Sequence, residues 1–586
     1  MSQTIPEAPL LESSEFSPAE PPARTTIASR RRLLVGMLLV LGLGALTLAP
    51  IAQMLVQSFN VAGFGEPFVF GVDGWRDAAS SSRTRSALWY TLVLSLRVPL
   101  AVLIGLAFAW FLVRSKFRFR RVIEYSLWFA FFLPTLPIAL GWIVLADPHT
   151  GLINQWLALL PGNLRVDIYT VTGLLWVHVT LSTVPIITIF LTPALRQLDA
   201  SLEESAVMCG AGTWRTLWRI TLPLVAPAAL AATLVGFIRS LEIFEVEQVL
   251  GTPAGIDVYA TRIYDLIRWD PPLYPEAMAL GSIMLIVLLV LAILYQLSLR
   301  RVGSHATITG RGMRTATSFS RGWEWVGAAA IMLFMTVGVY LPLVIVALGS
   351  TTWRFGYLTG DPGWTLGHWK VTLTDATFAN SLTNSLLVSA GAAGIGVICY
   401  AVLAWLIARR SVAFPELLSV MVWLPWAVPG LLLGFAWTAI ILASPLAGLV
   451  WGTLVPLIAI LAIKELPLGV QMLRTAIDQV SIELEEAALM VGSPRRVIFR
   501  RIVLPLIAPM LGTVFVFTFM MSLRDIGATV LLATPGTKTM AILLFEYAVA
   551  GHYEAAAVIG VLMACIALIV AGVVGTASRR YGVSRV

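Results

Sequence analysis

Charged residues are scarce in this chain. Asp, Glu, Lys and Arg make up only 12% of its 586 residues, while 58% are hydrophobic. Ordinary globular proteins carry about 25% charged residues. This composition excludes an ordinary water-soluble domain and places the chain in a lipid bilayer.

Cysteines and nucleotide-binding motifs are also missing or few. The three cysteines, Cys209, Cys399 and Cys565, are scattered and indicate neither a disulfide framework nor a metal site. The sequence has no Gly-x4-Gly-Lys-[Ser/Thr] phosphate loop. No His or carboxylate cluster has catalytic or metal-ligand spacing, as a membrane-embedded enzyme would need. We therefore predict a protein with no catalytic residues, no metal and no cofactor.

Long apolar runs are abundant. A helix needs about 20 apolar residues to cross a bilayer, and twelve runs of that kind form two sets of six. They begin near Leu33, Leu88, Ile123, Val171, Leu224 and Met278, and near Trp325, Leu382, Leu417, Leu449, Leu506 and Ala555. The predicted fold is an all-α polytopic membrane protein.

Basic residues indicate the orientation, because Lys and Arg concentrate in cytoplasmic loops. They cluster at Arg30–Arg32, Arg114–Arg121, Arg300–Arg301, Arg409–Arg410 and Arg579–Arg580. All of these fall on one side if both termini are cytoplasmic. The net charge of +8 is therefore a topology signal and not a sign of nucleic-acid binding.

The domain boundaries follow from composition. Residues 1–30 are predicted to be a disordered cytoplasmic N-terminus, 31–301 and 323–586 two repeats of six helices, and 302–322 a cytoplasmic linker. A cleavable signal peptide is the alternative for the first apolar run, although its polar leader would be unusually long.

One segment recurs without a gap. Glu204–Pro227 returns as Glu486–Pro509, 282 positions later, and we call these two stretches the repeated segments. Further echoes pair Trp110 with Trp405, Arg114 with Arg409, Pro134 with Pro425 and Ser240 with Ser522, whereas the first run of each half has no obvious echo. An even number of helices per half makes the repeats parallel, unlike the inverted repeats of many secondary transporters.

Prolines within the apolar runs predict kinks in the helices. They include Pro134, Pro137, Pro185, Pro425, Pro429 and Pro467. The kinks could be hinges of a translocation path, or the prolines could reflect the ordinary proline content of membrane helices.

The repeated segments have the chemistry of a docking surface. Ala206 and Gly210 are four residues apart, as are Ala488 and Gly492, so each pair places small residues on one helical face. Pro223 and Pro505 are expected in the first turn of the next helix. An amphipathic helix lying on lipid is the alternative for a single copy, but two copies in register favour a soluble partner.

At these residues the chain resembles the permeases of binding-protein-dependent ABC importers with the type I fold. The second copy fits the Glu-Ala-Ala…Gly…Leu-Pro motif closely, and Ser205 replaces the middle alanine in the first. The resemblance implies coupling helices at about 200–222 and 482–504, two copies of a cytoplasmic ABC ATPase subunit, an extracytoplasmic solute-binding protein, and a multi-pass location in the bacterial inner membrane. The implied coupling residues are Glu204, Ala206, Gly210 and Pro223, and Glu486, Ala487, Ala488, Gly492 and Pro505.

Charges inside the apolar runs mark a candidate translocation path or gate, because such charges are costly in a membrane. They are Arg239, Glu242, Glu245, Glu247, Arg524 and Asp525. The carboxylates could form an acidic vestibule for a cation, or the two arginines could neutralise them in ion pairs that seal the gate. Weaker candidates are Arg97, His178, Lys464 and Glu465.

The solute is suggested by resemblance alone. The Ser-Leu-Glu…Gly-Thr-Pro and Ser-Leu-Arg-Asp…Ala-Thr-Pro stretches are most similar to those of ferric iron importers. Thiamine and polyamine permeases have similar architecture and remain alternatives. An ion-coupled secondary transporter is the alternative mechanism, and it would need no cytoplasmic partner.

Overall fold

The computed structural model describes residues 24–62, 67–162, 164–196, 198, 200–302, 321–358 and 363–580. Of the predicted disordered N-terminus, residues 1–23 lie outside the described residues, and so do residues 303–320 of the predicted linker. Within the described ranges the regular structure is helical, and the only β pairings are isolated bridges between Asn60 and Phe70 and between Thr352 and Trp364.

Among the described residues, seven helices are long and apolar enough to cross a membrane, and five bent helix pairs bring the number to twelve when each pair counts as one span. In chain order the first six spans are Arg32–Gln57, Ser82–Arg114, Arg120–Phe132 with Thr135–Ala146, Val171–Leu181 with Val184–Arg196, Trp214–Glu242 and Tyr274–Leu291. The second six are Gly322–Gly349, Ala376–Ala408, Pro415–Trp426 with Gly430–Ala443, Val455–Lys464 with Leu466–Asp478, Arg495–Leu506 with Ala508–Leu523, and Tyr553–Gly572. The predicted all-α fold of about twelve spans in two sets of six is confirmed.

Shorter helices connect the spans. They are Asp73–Ser80, Leu152–Leu157, Ala200–Met208 and Tyr259–Arg268 in the first half, and Gly367–Thr374, Ala447–Val450, Ile482–Met490 and Met540–Val549 in the second. One hydrogen bond of the first half has an equivalent in the second half. Tyr259 N donates to Thr91 Oγ1 at 2.9 Å in the first half, and Met540 N donates to Ser385 Oγ at 2.6 Å in the second. The second span of each half therefore caps the corresponding short helix in the same way.

The third span of each half is broken. Its two parts meet at 98° in the first half and at 102° in the second. Pro134 and Pro429 each precede the second part in an extended conformation, where proline, which has no N–H to donate, fits. The structural partner of Pro134 is thus Pro429, and the sequence pairing of Pro134 with Pro425 is off by four residues.

The fifth and eleventh spans begin earlier than predicted. π-helical turns at Leu217–Thr221 and Phe499–Val503 carry the helix across the positions just before Pro223 and Pro505. A wider turn leaves room where the proline ring would otherwise meet a carbonyl of the preceding turn. Each proline therefore lies in the first turn of the α-helix that follows the π turn, as expected.

The first and seventh spans, which lack an echo in sequence, pack against the opposite half. Gly36 in the first span lies so close to the second half that a Cβ there would stand 2.6 Å from Ala413 O. In the seventh span, Tyr340 Oη donates to Ser126 Oγ of the third span at 2.7 Å. The first and seventh spans are therefore exchanged between the halves, and each of them contacts spans of the opposite half.

Candidate functional site

Each repeated segment folds as a short helix followed by a glycine turn. The helices are Ala200–Met208 and Ile482–Met490. Gly210 has φ +82° and Gly492 has φ +83°, a left-handed conformation that favours glycine. A Cβ would meet no atom within 4 Å at either position, so the need for glycine comes from the backbone alone. This geometry agrees with the tight turn expected at both positions.

The predicted coupling residues lie at an exposed edge in both halves. Glu204, Glu486, Ala487, Pro223 and Pro505 are exposed, while Ala206 and Ala488 are half-buried. The last helical residues, Met208 and Met490, are 90% and 88% exposed. The end of each short helix is therefore an exposed apolar tip that no other element among the described residues covers. Docking of a partner at these tips remains a prediction.

The glutamate just before the first repeated segment is buried, which the sequence did not predict. Glu203 is 5% exposed, and its Oε2 lies 2.7 Å from Arg114 Nε at the end of the second span. Arg114 Nη2 donates to Glu203 Oε1 at 3.1 Å, and Thr221 Oγ1 donates to the same oxygen at 2.6 Å. The short helix is therefore tied to the second span and to the start of the fifth.

The second half builds the same pair from Arg409 and Glu485. Arg409 Nε donates to Glu485 Oε1 at 2.8 Å, and Trp405 Nε1 donates to Oε2 at 3.2 Å. Arg409 Nη2 also donates to the carbonyl oxygens of Ile477 and Val480 at 3.0 and 2.9 Å. We call Arg114–Glu203 and Arg409–Glu485 the two buried ion pairs.

A signal for these pairs was present in the sequence. Glu203 and Glu485 are 282 positions apart, as are the residues of the repeated segments, and Arg114 and Arg409 were already recognised as echoes. Repeated residues of opposite charge at the same membrane side are candidates for a duplicated ion pair. The choice between Glu203 and Glu204 as the inward residue required the helix orientation, which only the structure gives.

A network of charged side chains joins the two halves within the membrane region. Lys464 Nζ lies 2.9 Å from Glu242 Oε1 and 2.6 Å from Asp525 Oδ2. Arg239 Nη1 lies 2.9 Å from Glu242 Oε2, and its guanidinium sits 4.5 Å from the ring centre of Trp426. We call Arg239, Glu242, Lys464 and Asp525 the charge network. It contains three of the predicted gate residues and adds Lys464, which had been a weaker candidate.

The glycine at the break of the ninth span gives the charge network its space. A Cβ on Gly430 would stand 2.9 Å from Lys464 Nζ, 3.0 Å from Glu242 Oε1 and 3.1 Å from Ala528 N. Any larger residue would thus displace either a charged group or the backbone beside Asp525. Gly430 N itself donates to Glu242 Oε1 at 3.1 Å.

The ends of the fifth and eleventh spans hold the broken third span of the opposite half. Glu242 accepts from Gly430 N, the first N–H of the helix after the break in the ninth span. Arg524, 282 positions after Glu242, donates through Nη1 to the carbonyl oxygens of Phe131 and Leu133 before the break in the third span. An anion at a helix N-terminus and a cation at a C-terminus both suit the helix dipole. Each half thus holds the broken span of the other, the first half through the Glu242 carboxylate and the second half through the Arg524 guanidinium.

Three predicted gate residues, Glu245, Glu247 and Arg524, lie outside the charge network. Glu247 forms a separate buried cluster, with its Oε1 3.2 Å from Arg97 Nη1 and 2.8 Å from His178 Nε2, because the π turn that begins at Glu247 turns its side chain toward the second and fourth spans. Glu245 accepts from Thr135 Oγ1 at 2.9 Å. Arg524 donates to backbone carbonyls, and Glu245 and Glu465 are the carboxylates that interact with it electrostatically. Its role in neutralising a carboxylate stays a prediction.

Metal-ligating side chains are not gathered anywhere in the described part of the chain: no group of three or more His, Cys, Asp or Glu there is arranged to hold a metal ion. Cys209, Cys399 and Cys565 are exposed free thiols. Glu465, beside Lys464, is a buried carboxylate whose Oε2 has no hydrogen-bond partner.

The duplicated bundle of broken helices, joined by exchanged first spans, defines a membrane permease of two parallel repeats. The family described as binding-protein-dependent transport system inner membrane component matches residues 101–304 and 400–586, which is more than half of the chain. The chain belongs to this family, and it is a multi-pass inner-membrane component of a transport system.

Individual relatives are similar to this chain in sequence. The chain is 26% identical to the ferric transport system permease protein FbpB of Actinobacillus pleuropneumoniae over 78% of this chain and 66% of that protein. It is 26% identical to the putative ferric transport system permease protein FbpB 1 of Haemophilus influenzae over 74% of this chain and 68% of the relative. The molybdenum transport system permease protein ModB of Escherichia coli is 31% identical over 31% of this chain and 80% of its own length. The chain thus spans about two thirds of the length of the ferric permeases.

Proposed function

We propose that this chain is the permease subunit of an ATP-driven importer that moves ferric iron, delivered by an extracytoplasmic binding protein, into the cytoplasm. The observation that carries the proposal is the duplicated helix and glycine turn, present in both halves of a chain that belongs to a binding-protein-dependent transport family. Two equal surfaces suit two copies of one ATPase subunit. The boundaries 31–301 and 323–586 would then delimit the two permease repeats.

Energy for transport would come from that partner, since the sequence has no phosphate-loop motif. The exposed tips at Met208 and Met490 would dock on the ATPase, with Glu204 and Glu486 beside them as polar contacts. This arrangement requires both tips, and both termini, to be cytoplasmic, in agreement with the Lys and Arg distribution.

The charge network would act as the closed gate between the halves. Glu242 belongs to the first half and Lys464 and Asp525 to the second, so separation of the halves must break the pair of Lys464 with Glu242. Buried ion pairs without water are costly to separate, and the gate would therefore stay closed until the ATPase supplies work. This proposal favours the structural account of Arg239, Glu242 and Asp525 over a preformed vestibule for cations.

Ferric iron is the proposed solute because two relatives that match 78% and 74% of the chain are described as ferric transport permeases. Hard cations prefer carboxylate oxygen. Glu245 accepts from the Thr135 hydroxyl and interacts electrostatically with Lys464 and Arg524. It would be the carboxylate offered to a passing cation.

Uptake assays test the proposal. A deletion strain complemented with the wild-type gene should accumulate labelled ferric iron, and the same strain with an empty vector should not. Labelled thiamine and putrescine serve as parallel substrates. Equal iron uptake in the two strains, or restored uptake of thiamine or putrescine alone, would contradict the iron assignment.

A further inference from the structure

The two buried ion pairs occupy the junction between each short helix and the membrane spans. Their side chains are 2% and 7% exposed for Arg114 and Glu203, and 12% and 9% for Arg409 and Glu485. Exposed ion pairs contribute little to stability, whereas a buried pair that loses one partner leaves an uncompensated charge. Both junctions are therefore held in one geometry.

Each pair ties its short helix to more than one span. In the first half Glu203 contacts Arg114 at the end of the second span and Thr221 at the start of the fifth. In the second half Arg409 links Glu485 to the last turn of the tenth span through Ile477 and Val480. A displacement of either short helix must consequently move the attached spans or break the pair.

We propose that Arg114–Glu203 and Arg409–Glu485 are positioning residues that transmit movement from the short helices to the spans. The proposal rests on the proposed function, because the movement would come from the ATPase. The pairs make each short helix and its adjoining spans one rigid body, so that a push on the exposed tip reaches the charge network.

The test uses the full permease with its ATPase and binding protein in proteoliposomes, with Glu203→Gln, Glu485→Gln and the double variant. Glutamine keeps the volume of glutamate, but it removes the charge and replaces one acceptor oxygen with an NH2 donor. We expect co-purification of the ATPase and binding-protein-stimulated ATP hydrolysis to persist, while ferric iron transported per ATP falls by about tenfold in the double variant. A merely structural role would lower assembly, hydrolysis and transport together.

The matched control is Glu416→Gln, which removes the charge from an exposed ion pair of Arg410 with Glu416, with side chains 78% and 72% exposed and a separation of 3.2 Å. It should leave transport per ATP unchanged. The charge swap Arg114→Glu with Glu203→Arg should recover coupling relative to Glu203→Gln, because the further partner there is the Thr221 hydroxyl, which can accept as well as donate.

Unchanged transport per ATP in the double variant, or a parallel loss of assembly and both activities, would overturn the inference. Failure of the wild-type complex to couple ATP hydrolysis to uptake would instead overturn the proposed function, so the two failures are distinguishable.

Discussion

The two halves of the molecule agree at the repeated segments and differ within the membrane. The glycine turns at Gly210 and Gly492 match within one degree of φ, and each half has a buried Arg–Glu pair. Within the membrane, in contrast, several charged residues of one half have uncharged residues at the corresponding positions of the other half. Surfaces that meet two copies of one partner are expected to stay alike, whereas a single solute path has no such constraint.

The differences can be read residue by residue. In the first half Arg97, His178 and Glu247 form a closed cluster, and the second-half residues 282 positions after His178 and Glu247 are the uncharged Ile460 and Thr529. In the second half Lys464 and Asp525 supply the charge network, where the first half has Ser182 and Ile243. The path is therefore chemically asymmetric although its scaffold is duplicated.

The largest effect is expected from Lys464→Met. It removes the cation shared by Glu242 and Asp525, and loss of one partner from a buried pair costs about 3–5 kcal/mol. Thermal unfolding of the purified protein in detergent should show this loss, and uptake should be abolished. The double variant with Asp525→Asn, which leaves Arg239 paired with Glu242, should regain most of the stability, whereas a double variant as unstable as the single one would refute the pairing.

A similar loss, confined to the first half, is expected from Arg97→Met, because Glu247 keeps its charge with only His178 beside it. Removing both charges with Arg97→Met and Glu247→Gln should cost less than the single change. Urea or thermal unfolding curves give the comparison. Additive losses in the double variant would show that the cluster is not a coupled unit.

A smaller effect should distinguish the two buried ion pairs. Lys can replace Arg in a pair with a carboxylate but cannot reproduce its forked donors. Arg409→Lys would lose the bonds to Ile477 and Val480 and is expected to cost about 1–3 kcal/mol more than Arg114→Lys. Equal unfolding free energies for the two variants would contradict this difference.

The smallest effect is expected at the glycine turns. A left-handed conformation costs a non-glycine residue about 1–2 kcal/mol, so Gly210→Ala and Gly492→Ala should weaken ATPase binding to similar extents. The matched control is Gly212→Ala, where a Cβ also meets no atom within 4 Å but the backbone has no positive φ. Pull-down titrations measure the affinity, and a strong effect in one half alone would argue against duplicated docking.

Local features of the fold were predictable from the sequence, and long-range ones were not. The twelve spans follow from apolar length, and the pairing of Arg239 with Glu242 follows from their spacing of three on a helix. Lys464 could not be placed beside Glu242, because their contact joins different halves. The same limit applied to the exchanged first and seventh spans, whose partners lie in the opposite repeat.

Helix irregularities account for the other misses. The break after Glu242 and the π turn at Glu247 send Glu242 and Glu247 into different clusters, although regular spacing grouped them. The sequence does not predict that Glu203 and Glu485 are the buried glutamates, because each has a second glutamate beside it, which is exposed. Their repetition together with Arg114 and Arg409 was the usable signal.

The most direct test of the account is the sidedness of the two helix tips. In a variant without Cys209, Cys399 and Cys565, Met208→Cys and Met490→Cys would each be treated with a membrane-impermeant maleimide. The account predicts that both are protected in intact cells and both are labelled in inverted vesicles. Labelling of either tip from outside intact cells would contradict it.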